Sequence, residues 1–188
     1  PAKAGDSLGV DEKSLVNDLL QLQSKVDTLI AQGYEDILVE EYIAGKEYTV
    51  LVAANANPQD GCVAFTPIEY QFPSNHKFKT YALKTSELHT DVNKPCDDPA
   101  LEAALKSAAE KIFTGFSGVG YARLDFRVNA RGEIFFLEIN FACSVFYEDG
   151  YEGSADYILN FDPVGKGGFL KHIIAEGIAR YAAKQRKY

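Results

Sequence analysis

Gly120–Asn140, GYARLDFRVNARGEIFFLEIN, is the stretch from which the fold can be read. Leu124, Phe126 and Val128 alternate with Arg123, Asp125 and Arg127. After Asn129-Ala130-Arg131-Gly132, a second alternation sets Phe135, Leu137 and Ile139 against Phe136, Glu138 and Asn140. A period of two on both sides of a short Asn/Gly segment predicts a β-hairpin. If Val128 pairs with Glu133, Arg123 lies opposite Glu138 and Asp125 diagonal to it, on one face. Asp, Glu and Asn oxygens gathered there suit a hard cation such as Mg²⁺, which prefers oxygen donors and commonly shares its shell with phosphates. A plain solvated strand face also alternates in this way. The dense Phe, Leu and Ile content around the acids favours a central hairpin, and Arg123–Glu138 pairing alone would not call for Asn140.

Working outward, 188 residues suffice for one domain with a real core. A hydrophobic content of 46% is that of a globular chain. A net charge of −8 argues against nucleic acid and anionic membrane as partners, since both call for a basic footprint. The sequence shows no run of membrane-spanning length. Cys62, Cys96 and Cys143 are scattered without CxxC spacing, which fits a reducing, cytoplasmic setting, and the three histidines form no zinc pattern. The chain contains no methionine and begins Pro1-Ala2-Lys3. It is therefore expected to be a piece of a longer product.

Residues 1–10, PAKAGDSLGV, read as a small polar loop. Leu15, Leu19, Leu22, Val26, Leu29 and Ile30 predict an amphipathic helix from Asp11 to Gln32, stopped by Gly33. Strands are expected from Ile37 to Ile43, from Tyr48 to Ala54 and from Val63 to Tyr70. The polar stretch from Gln71 to Cys96 is long for a connector, and such connectors are often lids. Asp98-Pro99 opens a helix through Phe113, with Leu101, Leu105, Ala108 and Ile112 as its buried stripe. After the hairpin comes a Gly/Ser/Tyr/acid loop. A last helix over 168–185 is expected to bury Leu170, Ile173, Ile174, Ile178 and Tyr181. The order of elements predicts an α+β layered domain with an antiparallel sheet.

Four blocks in this order, PAKAGDSLGV, ILVEEYIAGKEYTVLV, FKTYALK and GYARLDFRVNARGEIFFLEIN, resemble the ATP-grasp superfamily, most closely its D-alanine–D-alanine ligase branch. The resemblance implies an ATP-grasp-type antiparallel sheet packed with helices, incomplete at its N-terminus. Residues 1–188 would then be the C-terminal part of such a domain, with a phosphate loop at 1–10, hinge strands at 36–54, a lid at 71–96 and a metal hairpin at 120–140. It implies ATP and Mg²⁺, two ions in number, with Mn²⁺ as a substitute.

By the same resemblance, Ser7 contacts phosphate through the Gly-rich loop, where small residues let backbone N–H groups approach. Glu40, Tyr42 and Ile43 line the adenine pocket, and Glu47 holds the ribose hydroxyls. Lys84, closing the lid segment, contacts the γ-phosphate and the acyl-phosphate. Asp125, Glu138 and Asn140 ligate the metal, and Arg123 steadies charge at the reacting carbonyl. Ser144 and Ser154 are candidate substrate contacts.

Two departures stand out. Asp6 occupies a place where relatives carry a small hydroxyl residue. The Pro-Gly element expected after Asn140 is replaced by Phe141-Ala142-Cys143-Ser144-Val145. Cys143 lacks a basic partner in the sequence and reads as a small buried thiol. The implied function is Mg·ATP-dependent carboxylate–amine ligation through an acyl-phosphate. Its partners would be small-molecule carboxylate and amine substrates and the missing N-terminal portion of the same protein, without which the piece is expected to be inactive. A non-catalytic ATP-binding or regulatory domain, and an acidic structural domain without ligand, stand as alternatives.

Overall fold

The computed structural model describes residues 7–72, 78, 80 and 92–186, and separates into two compact units. The lid lysine Lys84 and the neighbouring Tyr81 lie outside the described residues.

The larger unit, Gly45–Gln71 with Thr90–Tyr188, carries the sheet. Its strands are β1 (Gly45–Ala54), β2 (Cys62–Ala64), β3 (Ile68–Tyr70), β4 (Asn93–Pro95), β5 (Tyr121–Asn129) and β6 (Ile134–Asn140). They run antiparallel in the order β4-β3-β1-β5-β6, with β2 also paired to β1. The expected third strand is thus two short ones. Three helices cover the sheet: α2 (Pro99–Gly115), α3 (Ser154–Phe161) and α4 (Gly165–Gln185), where α1 belongs to the smaller unit.

Alternation along the central strands sorts their side chains. Tyr48, Val50 and Val52 of β1 share one face with Ala122, Leu124, Phe126 and Val128 of β5. That face packs on Leu105, Ala109 and Phe113 of α2. The i, i+4 spacing of those three aligns them on a single helix face. Asp98 caps α2 by accepting the N–H groups of Ala100 and Leu101, with Pro99 in the first turn. Leu51 and Ala53 point the other way, into a second core with Phe65, Ile68, Cys143, four residues of α3 and Phe169 of α4.

The last helix buries a different stripe from the one expected. Phe169 and Glu176 are its buried residues and Ile173, from the expected stripe, is partly buried against the second core, while Leu170, Ile174, Ile178 and Tyr181 are exposed. Two apolar stripes share this helix, and periodicity alone does not say which one meets the sheet. Helix α3 was not foreseen either, because its start, Gly153-Ser154, sits in a run of loop-forming residues.

The smaller unit, Pro1–Ala44 with Phe72–His89, contains a 3₁₀ turn at Glu12–Ser14 and helix α1 (Leu19–Ala31). Asp18 caps α1 by accepting the N–H of Gln21. The helix therefore starts at the Asp18 cap rather than at Asp11, and its 13 residues fill only the C-terminal part of the expected stretch. Leu29 is buried, but Leu19, Leu20 and Ile30 are exposed. Residues 34–44 adopt neither helix nor strand, which corrects the strand expected from Ile37 to Ile43. Among the described residues no helix is long and apolar enough to cross a membrane.

Candidate functional site

The hairpin closes through a three-residue connection, Ala130-Arg131-Gly132. Gly132 donates to the Asn129 carbonyl and Asn129 to the Glu133 carbonyl, and Gly132 has φ +77°. This is a turn followed by a left-handed residue, a position glycine fills without a Cβ penalty. Asn129 Oδ1 reinforces it by accepting the N–H groups of Arg131 and Glu133.

The register differs from the expected one. Val128 pairs with Ile134, Asp125 lies directly opposite Glu138, and Arg123 lies opposite Asn140. Between these pairs the register slips: Phe126 faces Phe136 while Asp125 faces Glu138, leaving Leu137 as the extra residue of a β-bulge. Continued without the slip, the pairing would set Glu138 against Leu124, on the face under α2. The bulge turns Glu138 onto the face of Asp125.

That face extends across β1, where Glu47 opposes Arg127, Thr49 opposes Asp125 and Leu51 opposes Arg123. Its polar side chains are mutually engaged. Arg127 Nη2 donates to Glu47 Oε2 at 3.3 Å, and its Nη1 donates to the Gly45 carbonyl at 3.4 Å. Both members of this ion pair are buried. Arg123 Nη2 donates to Asp125 Oδ2 at 3.2 Å, and the buried Arg123 Nε–H has no hydrogen-bond partner among the described residues. Burial works against the Arg123 charge, but the adjacent Asp125 carboxylate outweighs it and holds the guanidinium pKa up. Asp125 is buried, Glu138 and Asn140 are exposed at the edge of the described sheet, and Asn140 Oδ1 accepts the Ala142 N–H at 2.9 Å.

Cys143 follows immediately and is buried. Burial pushes its thiol up to about 11, although the Arg123 charge pulls the other way. A thiol this reluctant to ionise is no nucleophile at neutral pH, which agrees with the packing role read from the sequence. Ser144 is exposed, and Ser154 is the half-buried first residue of α3.

The remaining candidates belong to the smaller unit. A cavity of about 310 Å³ there is lined by Gly9, Val10, Leu29, Glu40 and Tyr42 among others. The Tyr42 ring packs edge-on against Phe78, 6.2 Å between centroids. Ile43 is not among the residues lining it, and Ser7 holds a left-handed backbone with φ +57°. The structure thus brings Glu47, Arg123, Asp125, Glu138 and Asn140 to one sheet face, with Ser7, Glu40, Tyr42 and Ile43 in the other unit.

Among the described residues, no three His, Cys, Asp or Glu side chains form a ready cluster for a metal. The donor set to weigh is therefore two carboxylates and an amide. All are hard oxygen donors on one face, and the paired Asp125–Glu138 register fits Mg²⁺ chemically. Sequence reasoning missed the Glu47–Arg127 pair, whose signal was the matching alternation of both segments. It also missed Asp156, a fully buried carboxylate in α3.

An antiparallel sheet with helices on both faces and an acidic hairpin defines an ATP-grasp-type fold, which solved structures match. The VanG D-Ala:D-Ser ligase from Enterococcus faecalis aligns with a TM-score of 0.66 at 20% identity, covering 94% of this chain and 48% of that one. The D-alanine–D-alanine ligase from Bacillus anthracis complexed with ATP aligns with a TM-score of 0.59 at 16% identity, covering 89% and 50%. The family model described as D-ala D-ala ligase C-terminus matches residues 1–143, and the chain belongs to that family. A D-alanine–D-alanine ligase of Idiomarina loihiensis is 32% identical over 144 residues, covering 74% of this chain and 41% of the relative. The chain thus spans about two fifths of the length of that relative.

Proposed function

We propose that the chain is the nucleotide- and metal-binding portion of an ATP-dependent carboxylate–amine ligase. The observation that carries this reading is the direct opposition of Asp125 and Glu138, brought to one face by the bulge at Leu137. Membership of the ligase family and the likeness to an ATP-complexed ligase support it.

In this reading residues 1–10 form the phosphate loop, with Ser7 as a contact, and 36–54 the hinge segment. Glu40, Tyr42 and Ile43 face adenine, and Glu47 the ribose. Residues 71–96 form the lid that presents Lys84, and 120–140 the metal hairpin. Asp125, Glu138 and Asn140 would hold Mg²⁺, one ion or two. When bound, the metal supplies charge neutralisation along the phosphate tail.

The γ-phosphoryl group passes to a substrate carboxylate, releasing ADP and forming an acyl-phosphate. The amine then attacks the acyl carbon, and inorganic phosphate and a proton leave as the amide bond forms. Arg123, kept cationic beside Asp125, would steady the negative charge that develops at the reacting carbonyl. Lys84 neutralises the transferring group as a mobile point charge. Ser144 and Ser154 flank the loop that would receive the second substrate, and the carboxylate and amine are small molecules. The rest of the longer protein would complete the site, and a cytoplasmic location follows from the need for ATP.

Glu138→Gln in the full-length protein tests the reading. Metal-dependent Mg·ATP affinity and ADP release should both fall at least tenfold. Loss of affinity in a protein whose parent never turns over would instead identify a regulatory nucleotide-binding domain. Unchanged affinity would remove Glu138 from the site.

A further inference from the structure

Asp156 is fully buried in the first turn of α3, and the proposed chemistry makes no use of it. An enclosed carboxylate is costly unless its oxygens are bonded and its charge is countered. Here Oδ1 accepts the backbone N–H of Phe146 at 2.9 Å and lies 3.3 Å from Lys166 Nζ, while Oδ2 accepts the N–H of Gly153 at 3.2 Å. The two amides bracket the span from Phe146 to Gly153, so a single side chain ties together both ends of that loop. Phe146 is held at φ +67°, a left-handed backbone that an aromatic residue rarely adopts. The tie to Asp156 is what the structure offers to offset this strain.

The loop's other anchor is Cys143, buried in the sheet core and close enough to feel the charges of Arg123 and Asp125. Asn140 caps the intervening turn by accepting the Ala142 N–H. Between these two anchors runs the chain leaving the hairpin, which departs at the Arg123–Asn140 pair, two residue pairs from Asp125 and Glu138. Tyr147 and Tyr151 on this path are exposed, while Val145 packs at the edge of the second core and the Phe146 ring lies against Phe169, 6.0 Å between centroids.

We propose that Asp156, with Lys166 as its counter-ion, is a positioning residue for the amine substrate: it holds the 141–153 loop in the shape that walls the second-substrate site beside the Asp125–Glu138 pair. The proposal rests on the ligase reading above. It assigns no contact between Asp156 and substrate, since the carboxylate is spent on the loop and on Lys166.

The test uses the full-length protein, ADP release at saturating Mg·ATP, and D-alanine as the amine probe, followed by a panel of D- and L-amino acids. Parent protein that fails to bind Mg·ATP, or releases ADP with none of these, overturns the ligase reading and this proposal with it, before any variant is made. Where the parent is active, Asp156→Asn should speed amide exchange at Phe146 and Gly153 at least tenfold. It should also raise KM for the amine at least tenfold, with kcat and the KM for Mg·ATP within threefold. Lys166→Met should shift the same two readouts in the same direction by a smaller factor, and decides the matter if Asp156→Asn does not fold. Faster exchange with an unchanged amine KM would reduce Asp156 to a structural tie and overturn the proposal, as would no change in either.

Discussion

The two faces of strands β1 and β5 obey different rules. Under α2, every inward position is apolar: Tyr48, Val50 and Val52 on one strand, and Ala122, Leu124, Phe126 and Val128 on the other. On the opposite face Leu51 and Ala53 enter a second core, but Glu47, Thr49, Arg123, Asp125 and Arg127 crowd the rest. One face is built by burial of hydrocarbon; the other holds charge in place, and does so only because the charges are paired. Stability should therefore reside mainly on the first face and chemistry on the second. The strongest blow to that contrast would come from Phe126→Ala. The ring is fully buried, and its loss should lower unfolding free energy by about 3–5 kcal/mol in a denaturant titration. A loss below about 1 kcal/mol would mean that this face is not the foundation it looks to be.

Next in size comes the buried Glu47–Arg127 pair. Arg127→Met leaves Glu47 enclosed without its cation and should cost about 3 kcal/mol. The double variant Glu47→Gln/Arg127→Met should recover most of that, because both desolvation penalties vanish together. If the double variant is as unstable as the single, the pair is a net stabiliser, and the charged face shares in holding the fold.

An alkaline titration separates the faces in another way. The Cys143 thiol is raised from 9.0 to about 11, chiefly by burial. A raised folded pKa means that stability is fully present below pH 9 and is lost as pH climbs from about 9 through about 11. Over that window Cys143→Ala should flatten the fall in stability by up to about 1.4 kcal/mol per pH unit. Native Cys143 should also react with iodoacetamide at pH 8 about 100-fold more slowly than an ordinary thiol, in line with its thiolate fraction.

How far the sequence revealed this arrangement depends on which interactions carry a period. Alternation in 120–129 exposed both faces of β5 because pleating imposes it locally. The register did not follow, since a bulge is a property of a strand pair. One cue existed: Ile134-Phe135-Phe136-Leu137 is four apolar residues in succession, a break in alternation where a slip can be absorbed. Helix α2 was legible through Asp98-Pro99 and its apolar periodicity, but of the expected stripe only Leu105 is fully buried, with Ala109 and Phe113 beside it, while Leu101, Ala108 and Ile112 are partly buried against the same core. In the smaller unit, Ile37-Leu38-Val39 reads as a strand by composition, yet β propensity reflects packing against neighbours more than any local preference, and these residues form no strand here. The family resemblance supplied candidate roles for Glu40, Tyr42, Ser7 and Lys84 that no local pattern could have suggested.

Gly132→Ala is a smaller perturbation of the same hairpin. A Cβ there meets open space, so the cost comes only from φ +77° and should be about 1 kcal/mol. If metal-dependent nucleotide affinity drops with it by more than that free energy implies, the turn is setting the Asp125–Glu138 register and not merely closing the loop.

The smallest expected change in stability is the most telling. Glu138 is exposed on the outermost described strand, so Glu138→Gln should alter unfolding free energy by no more than about 0.5 kcal/mol. Its predicted effect on metal-dependent nucleotide affinity is at least tenfold. Phe126 and Glu138 sit on adjacent strands, on opposite faces; Asp125 directly precedes Phe126 and lies opposite Glu138. If the carboxylate served the fold, its removal would register in the denaturant titration as the Phe126 ring does. A variant as stable as its parent that no longer binds Mg·ATP would show that the bulge at Leu137, by turning Glu138 over, converts one edge of a structural sheet into a binding surface at almost no cost to folding.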